Sequence, residues 1–275
     1  GGRVVSGSYP SAPRSFILKN YKGKFTDVTE KYCPQLKNIG MVTDAIWTDF
    51  DHDGKVDLIV VGEWMPVTFL KNTGLTFIDV TASTGMGQQV GWWNSLVAGD
   101  FDNDGDIDYI AGNLGLNSNY KGTPQEPMTL VAKDFDSNGL MDPLIFCYMN
   151  DVDGSRKPFP MSTRDDMISQ MISVRKKYPT YKSFGLASMD VLLSPGDKAG
   201  AIIAEATEMR SIYIENLGNG KFKIKPLPLE AQTAPVFGMM AKDVDGDGNL
   251  DVLLTGNDYG MEPYSGRHDA FDGLM

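Results

Sequence analysis

Short apolar runs alternate with polar, glycine-bearing turns along nearly the whole chain, and few of the runs reach helical length. DAIWTDF, NSLVAGDF and TLVAKDF, and then LIVV, YIA and VLLTG, are brief segments rich in β-branched and aromatic residues, the signature of buried or half-buried strands. FILKNYKGKFTDVT (16–29), FLKNTGLTFIDVT (69–81) and IYIENLGNGKFKI (212–224) follow a second pattern. Each predicts a strand ending at Asn20, Asn72 or Asn216, a glycine-bearing turn, and a second strand opening at Phe25, Phe77 or Phe222. The texture changes once. Thr163 with Asp166 three residues on predicts a capped helix that carries Met167, Met171, Val174 and Tyr178 on one face until Pro179 stops it. A second helical piece is predicted over 197–208, so that 159–208 reads as a mainly helical insertion in a single domain spanning 1–275.

Between the predicted strands one nonapeptide recurs four times: DFDHDGKVD, DFDNDGDID, DFDSNGLMD and DVDGDGNLD. Oxygen-bearing side chains stand at positions 1, 3, 5 and 9: Asp49, Asp51, Asp53 and Asp57; Asp100, Asp102, Asp104 and Asp108; Asp134, Asp136, Asn138 and Asp142; Asp243, Asp245, Asp247 and Asp251. Position 6 is always glycine, which suits a sharp turn. Position 7 (Lys55, Asp106, Leu140, Asn249) shares no side-chain chemistry, as expected of a residue that offers only its backbone carbonyl. Unpaired, these carboxylates repel one another, so a cation is expected among them. Six to eight oxygens at roughly 2.3–2.6 Å is what Ca²⁺ takes. The opening resembles an EF-hand loop, but the closing acid falls at position 9, not 12, and strands flank the loop, not helices. Up to four structural Ca²⁺ ions are expected, with the Asn138 loop weakest by charge. The apolar residues at positions 2 and 8 are expected to pin each loop to a core.

The first two acidic loops lie 51 residues apart and the first two LKN hairpins 52. The implied unit is strand, acidic loop, strand, linker, strand, turn, strand. Four antiparallel strands per unit predict an all-β fold, a β-propeller of four-stranded blades with cation loops between strands. RVVSGSYP before FILKN parallels LIVVGEWMP before FLKN, so the chain opens inside a unit, and it closes inside another at GRHDAFDGLM. The expectation is a partial propeller or a ring closed by strands from both ends.

Composition narrows the partners. A net charge of −11 and a pI near 4.6 oppose binding to nucleic acid or to an anionic membrane surface, which needs basic residues. Four Ca²⁺ ions would take −11 to −3. Two cysteines, Cys33 and Cys147, make no disulfide framework and no metal-ligand spacing. No apolar run reaches about 18 residues, so no membrane insertion is expected. The start at GGRVV, without Met, leaves room for a targeting segment upstream.

The linkers led by Gly62 (GEWMP), Gly112 (GNLGLN) and Gly256 (GNDYG) are expected on one face. Trp64 lies on one such linker, and Trp92 and Trp93 precede the second loop's strand; all three are candidate ligand contacts, with core packing the alternative. Arg164 and Asp165 at the helix start are further candidates, although capping accounts for acids there. No HExxH, nucleophile elbow or phosphate loop occurs, and His52 and His268 are the only histidines.

DFDNDGDIDYIAGN and its fellows, followed downstream by LKN, Gly and Phe, resemble the FG-GAP/VCBS repeats of integrin-alpha-like β-propellers. GEWMP, VGWWNSL, the STRDD helix start, ENLGNGKF and the stretch from GNDYG to GRHDA resemble large secreted or surface proteins of gut-type Bacteroidetes, in which such repeats often accompany an ASPIC/UnbV module. The resemblance implies an extracytoplasmic, Ca²⁺-stabilised propeller scaffold for protein or glycan recognition and adhesion. Two other readings stand beside it: a polysaccharide lyase or hydrolase working on a propeller face, and a purely structural module of a larger surface protein.

Overall fold

The computed structural model describes residues 1–260, 266–271 and 274. They divide into two compact units, one of residues 1–3, 12–119 and 208–275, the other of residues 4–11 and 120–207. In the first unit β1 (Leu18–Tyr21) and β2 (Lys24–Asp27) form a hairpin that runs into the helical turn α1 (Thr29–Tyr32). A five-stranded sheet follows: β3 (Met41–Thr48), β4 (Asp57–Pro66), β5 (Thr68–Asn72) and β6 (Phe77–Asp79) in sequential order, with β7 (Val90–Trp92) on the far end of β4. The turn α2 (Thr81–Thr84) leads from β6 towards β7. The pair β8 (Ser95–Gly99) and β9 (Asp108–Gly112) brackets the second acidic loop.

The second unit carries β10 (Met128–Lys133), β11 (Asp142–Asn150), β12 (Arg156–Pro160) and β13 (Ile202–Ala206), ordered β12-β11-β10-β13. Between β12 and β13 lie α3 (Arg164–Gln170), α4 (Ser173–Lys177), α5 (Tyr181–Gly185), α6 (Met189–Leu192) and α7 (Pro195–Lys198). The Thr163–Asp166 capping box forms, each side chain bonding the other residue's backbone N–H. The single helix expected up to Tyr178 is two, because Met171 leaves helical geometry at φ −129°, ψ 96°. Its apolar stripe still points inward: Met167, Met171, Val174 and Tyr178 join Val131, Leu144 and Phe146 in one buried cluster. The helix expected over 197–208 is corrected. Helix α7 stops at Lys198, Gly200 turns the chain at φ 75°, and IIAEA pairs with β10 as β13.

Back in the first unit, β14 (Ile212–Asn216) and β15 (Phe222–Pro226) join β9 to complete a sheet ordered β15-β14-β9-β8. A last pair, β16 (Val236–Lys242) and β17 (Asp251–Gly256), brackets the fourth acidic loop. The principal core lies between the two larger sheets of this unit, where Ile59, Val61, Phe69, Trp93, Tyr109, Ile212 and Ile214 are buried and Phe50 meets Phe69 edge-on at 5.3 Å. Each such side chain contributes about 1.5–3 kcal/mol on burial.

The all-β propeller of four-stranded blades is therefore corrected. The fold is mixed α/β; the described residues form five separate sheets of two, five, four, four and two strands, and among them none is closed on itself. The recurring nonapeptide requires only that two antiparallel strands meet at each loop. It does not require four consecutive strands per loop, nor that successive sheets make a ring. The stretch from GNDYG to GRHDA, quoted for its resemblance, includes residues 261–265, which lie outside the described residues.

Candidate metal centre

Each acidic loop is built by its own carboxylates before any cation is considered. The position-1 aspartate accepts two backbone N–H bonds across the turn: Asp49 from Asp53 and Gly54 at 3.1 and 2.9 Å, Asp100 from Asp104 and Gly105 at 3.2 and 3.1 Å, and Asp134 from Asn138 and Gly139 at 2.9 and 2.8 Å. Asp243 does the same with Gly246 and Gly248 at 2.7 and 3.1 Å. At position 5, Asp53, Asp104, Asn138 and Asp247 each accept from the backbone N–H two residues on. At position 3, Asp102, Asp136 and Asp245 do so as well.

Two residues per loop take the left-handed conformation. The position-6 glycines were expected to turn and have φ of 81°, 95°, 86° and 90°. Position 4 joins them with His52, Asn103, Ser137 and Gly246 at 55°, 59°, 62° and 81°. Asn103 and Gly246, residue types that tolerate that region, were the available signal at this position.

Position 9 anchors the loop to its sheet. Asp57, Asp108, Asp142 and Asp251 each accept from the N–H of position 2 at 3.3, 3.2, 3.0 and 3.0 Å. Asp57 and Asp108 accept a further bond from the closing Asn of the neighbouring hairpin, Asn72 at 2.7 Å and Asn216 at 2.8 Å. Tyr213 adds its hydroxyl to Asp108 at 2.6 Å. Burial raises the Asp57 carboxyl to about 6 against the pull of the Asn72 N–H. It raises Asp142 too. At Asp102 burial acts first, reinforced by the charges of Asp108, Asp104 and Asp100. The core-pinning role of positions 2 and 8 varies: Phe50 is buried, while Val56 and Val244 are exposed.

Three carboxylates converge in each loop, with ligand atoms all within 4.8 Å: Asp49, Asp51 and Asp53; Asp100, Asp102 and Asp108; Asp134, Asp136 and Asp142; Asp243, Asp245 and Asp251. Asp57, Asp104 and Asp247 stand outside those groups. The position-7 side chains do more than expected. His52 Nδ1 lies 3.0 Å from Asp106 Oδ1, and Asn103 Nδ2 donates to Asn249 Oδ1 at 2.8 Å. Position 4 of one loop thus meets position 7 of the next, joining the first, second and fourth loops. Lys55 instead donates to its own Asp53 at 2.9 Å, and the Leu140 side chain is exposed.

The first loop holds a cation of its own. Lys71 Nζ contacts Asp51 closely and lies 3.1 Å from Asp53, whose carboxyl is held near 2, chiefly by Lys55 and then by Lys71. Asp51 Oδ1, by contrast, is buried without a hydrogen-bond partner. An orphaned carboxylate oxygen within an all-oxygen donor set fits a hard cation.

The remaining candidates divide between the units. Trp64 adopts φ 58° and meets the Trp92 ring edge-on at 5.2 Å, both half-buried. Trp93 is fully buried and donates its indole N–H to Met65 O at 3.1 Å. Arg164 donates to the Tyr178 and Pro179 carbonyls at 2.7 and 3.3 Å and to Asp165 at 3.2 Å, while its guanidinium lies 5.5 Å from the Tyr181 ring centre. Tyr181 in turn bonds Asp165. These contacts tie α3 to the segment that follows α4. Cys147 is buried and its thiol is pushed up to about 11 by that burial, which keeps it protonated.

A sequence family described as an FG-GAP-like repeat matches residues 49–111, a segment holding the first two acidic loops and the three candidate tryptophans. No curated protein matches the chain. The expected likeness to FG-GAP/VCBS, integrin-alpha-like propellers is thereby corrected: the match covers less than a quarter of the residues, in a fold whose described sheets do not close. The propeller scaffold for recognition and adhesion falls with it, since that role rested on the propeller. What stands is a mixed α/β protein with four Asp-rich clusters able in principle to chelate a divalent ion. Among the described residues no helix is long and apolar enough to cross a membrane.

Proposed function

We infer that this is a Ca²⁺-binding protein in which the four acidic loops hold structural ions. The observation that carries the reading is the convergence of three carboxylates in every loop, fourfold over. Two carboxylates 4.8 Å apart repel by about 1 kcal/mol in water and about 3–4 kcal/mol at an effective dielectric of 20. A bound divalent ion converts that repulsion into attraction. Positions 1, 3, 5 and 9 would supply side-chain oxygens and position 7 a carbonyl: Lys55 in the first loop, Asp106, Leu140 and Asn249 in the others.

Ca²⁺ is favoured over Mg²⁺ because the donors are many, carboxylate-rich and set on a turn, whereas Mg²⁺ demands near-ideal octahedral geometry and keeps its waters. In the first loop Lys71 must give way to the ion. Extracellular Ca²⁺ modules bind at roughly 10⁻⁴–10⁻³ M, which suits an extracytoplasmic setting. The ion's role here is to hold strand pairs together.

Thermal melting in Ca²⁺, in Mg²⁺ and in chelator tests the reading. A ligand at 100 times its Kd stabilises by about 2.7 kcal/mol per site. Chelation is expected to lower Tm, and Ca²⁺ added back to restore it more fully than Mg²⁺. Coincident melting curves in all three conditions would overturn the proposal.

A further inference from the structure

The first two acidic loops share one turn, yet the strand laid beside each brings a different charge to it. In both, a hairpin strand ending in Asn pairs with the strand that leaves the loop: β5 with β4 through Leu58–Leu70, Ile59–Phe69 and Val60–Thr68, and β14 with β9 through Tyr109–Ile214, Ile110–Tyr213 and Ala111–Ile212. The Asn72 and Asn216 backbone N–H groups donate to the position-9 aspartates, Asp57 at 2.7 Å and Asp108 at 2.8 Å, so the two registers correspond residue for residue. The place before the closing Asn is therefore Lys71 in one junction and Glu215 in the other.

Lys71 carries its ammonium onto positions 3 and 5 of the first loop, in contact with Asp51 and 3.1 Å from Asp53 Oδ2. Lys55 Nζ lies 2.9 Å from the same Asp53 oxygen. Two ammonium groups thus stand against the four carboxylates of this loop. Glu215 brings no positive charge to the second loop, and its carboxylate pairs with Lys225 of β15 at 2.7 Å. Among the described residues, no lysine or arginine forms an ion pair with a carboxylate at position 1, 3, 5 or 9 of the other three loops.

Lys71 neutralises the first loop without completing it. Its side chain is 31% exposed, and Asp51 Oδ1 stays buried with no hydrogen-bond partner while Oδ2 takes the ammonium. A single charge on one side of the turn satisfies part of an oxygen donor set that a divalent ion would engage from within.

We propose that Lys71 is the built-in counter-ion of the first loop: it holds that turn closed in the metal-free chain and lowers the loop's affinity for Ca²⁺, so that the first loop fills after the second. The proposal rests on the reading of the loops as Ca²⁺ sites. An entering ion must displace the ammonium or share the site with it. Allowing for solvent screening, that competition is expected to weaken binding by about tenfold.

Chains labelled with ¹⁵N at glycine read each loop separately, because the position-6 N–H of Gly54, Gly105, Gly139 or Gly248 donates to the position-1 aspartate of its own loop. In chelator, Lys71→Met is expected to speed amide exchange at Gly54 by about two- to fivefold and to leave Gly139, in the second unit, unchanged. During Ca²⁺ titration the wild-type Gly54 resonance is expected to move at higher Ca²⁺ than that of Gly105. Lys71→Met is expected to lower the Gly54 midpoint about tenfold, again without moving Gly139. Lys71→Arg keeps the charge and is expected to follow the wild type in both measurements. An ordinary surface ion pair would alter exchange and leave the midpoint in place. A Gly54 midpoint unmoved by Lys71→Met while other glycines respond to Ca²⁺, or Gly54 exchange in chelator equal in the two chains, would overturn the proposal and leave the Ca²⁺ reading standing. No Ca²⁺-dependent shift at any of the four glycines, in either chain, would overturn that reading and the filling order with it.

Discussion

Asp108 receives three hydrogen bonds, from Phe101 N, Asn216 N and Tyr213 Oη, while the exposed Asp102 receives one at 3.3 Å from the next turn of its own loop. Both belong to the candidate donor set, but Asp108 also anchors the loop to its sheet, whereas Asp102 does not. Asp108→Ala strands three donors and is expected to cost about 3 kcal/mol or more in chelator as well as in Ca²⁺. Asp102→Ala is expected to cost stability chiefly in Ca²⁺. Urea denaturation of both variants in the two buffers decides, and equal losses across all four measurements would contradict the division. His268 supplies a pH test away from the loops. It is buried, neither ring nitrogen has a partner among the described residues, and burial depresses its pKa below 6.5. The unfolded chain therefore binds this proton more readily, so its contribution to stability is present above pH 6.5 and declines as pH falls through that value. His268→Phe is expected to lose less stability than wild type between pH 7 and 5; parallel pH–stability curves would refute the assignment. Sequence spacing made the ligand-type residues legible at this scale. It hid the anchoring bonds to position 9, because their donors come from hairpins elsewhere in the chain.

Local signals described the elements well and their partners poorly. The Thr163–Asp166 box, the Asn-to-Phe hairpins and the strand pair around every acidic loop depend on neighbouring residues, and all are present. The pairing of β14 with β9 joins residues about a hundred positions apart, with residues 120–207 of the second unit between them in sequence. No periodicity within either strand encodes it. The break at Met171 is similarly tertiary: on both sides of it the apolar stripe stays in one cluster with Val131 and Leu144, so packing is preserved while the helix is not. Two substitutions weigh these forces. Thr163→Ala removes the cap and is expected to cost about 1 kcal/mol. Met167→Ala empties a fully buried site and is expected to cost about 2–5 kcal/mol. Chemical denaturation that ranks the cap above the core residue would reverse this account.

Across the whole molecule the composition pointed towards cation binding, and the repeat overstated the regularity of the fold. Sixteen of the 36 acidic residues lie in the four nonapeptides, and in each loop three carboxylates lie close enough to chelate a divalent ion in principle. Regular spacing of two loops suggested a uniform ring, yet the interval from Asp134 to Asp243 holds a helical segment and a sheet of another order. The central claim is that these turns are Ca²⁺ sites. The most direct measurement is the calcium content of the protein after equilibrium dialysis, by atomic emission, paired with calorimetric titration of the metal-stripped chain. Up to four Ca²⁺ per chain are expected, with the Asn138 loop filling last. No calcium above the dialysis buffer, and no heat of binding, would contradict the account.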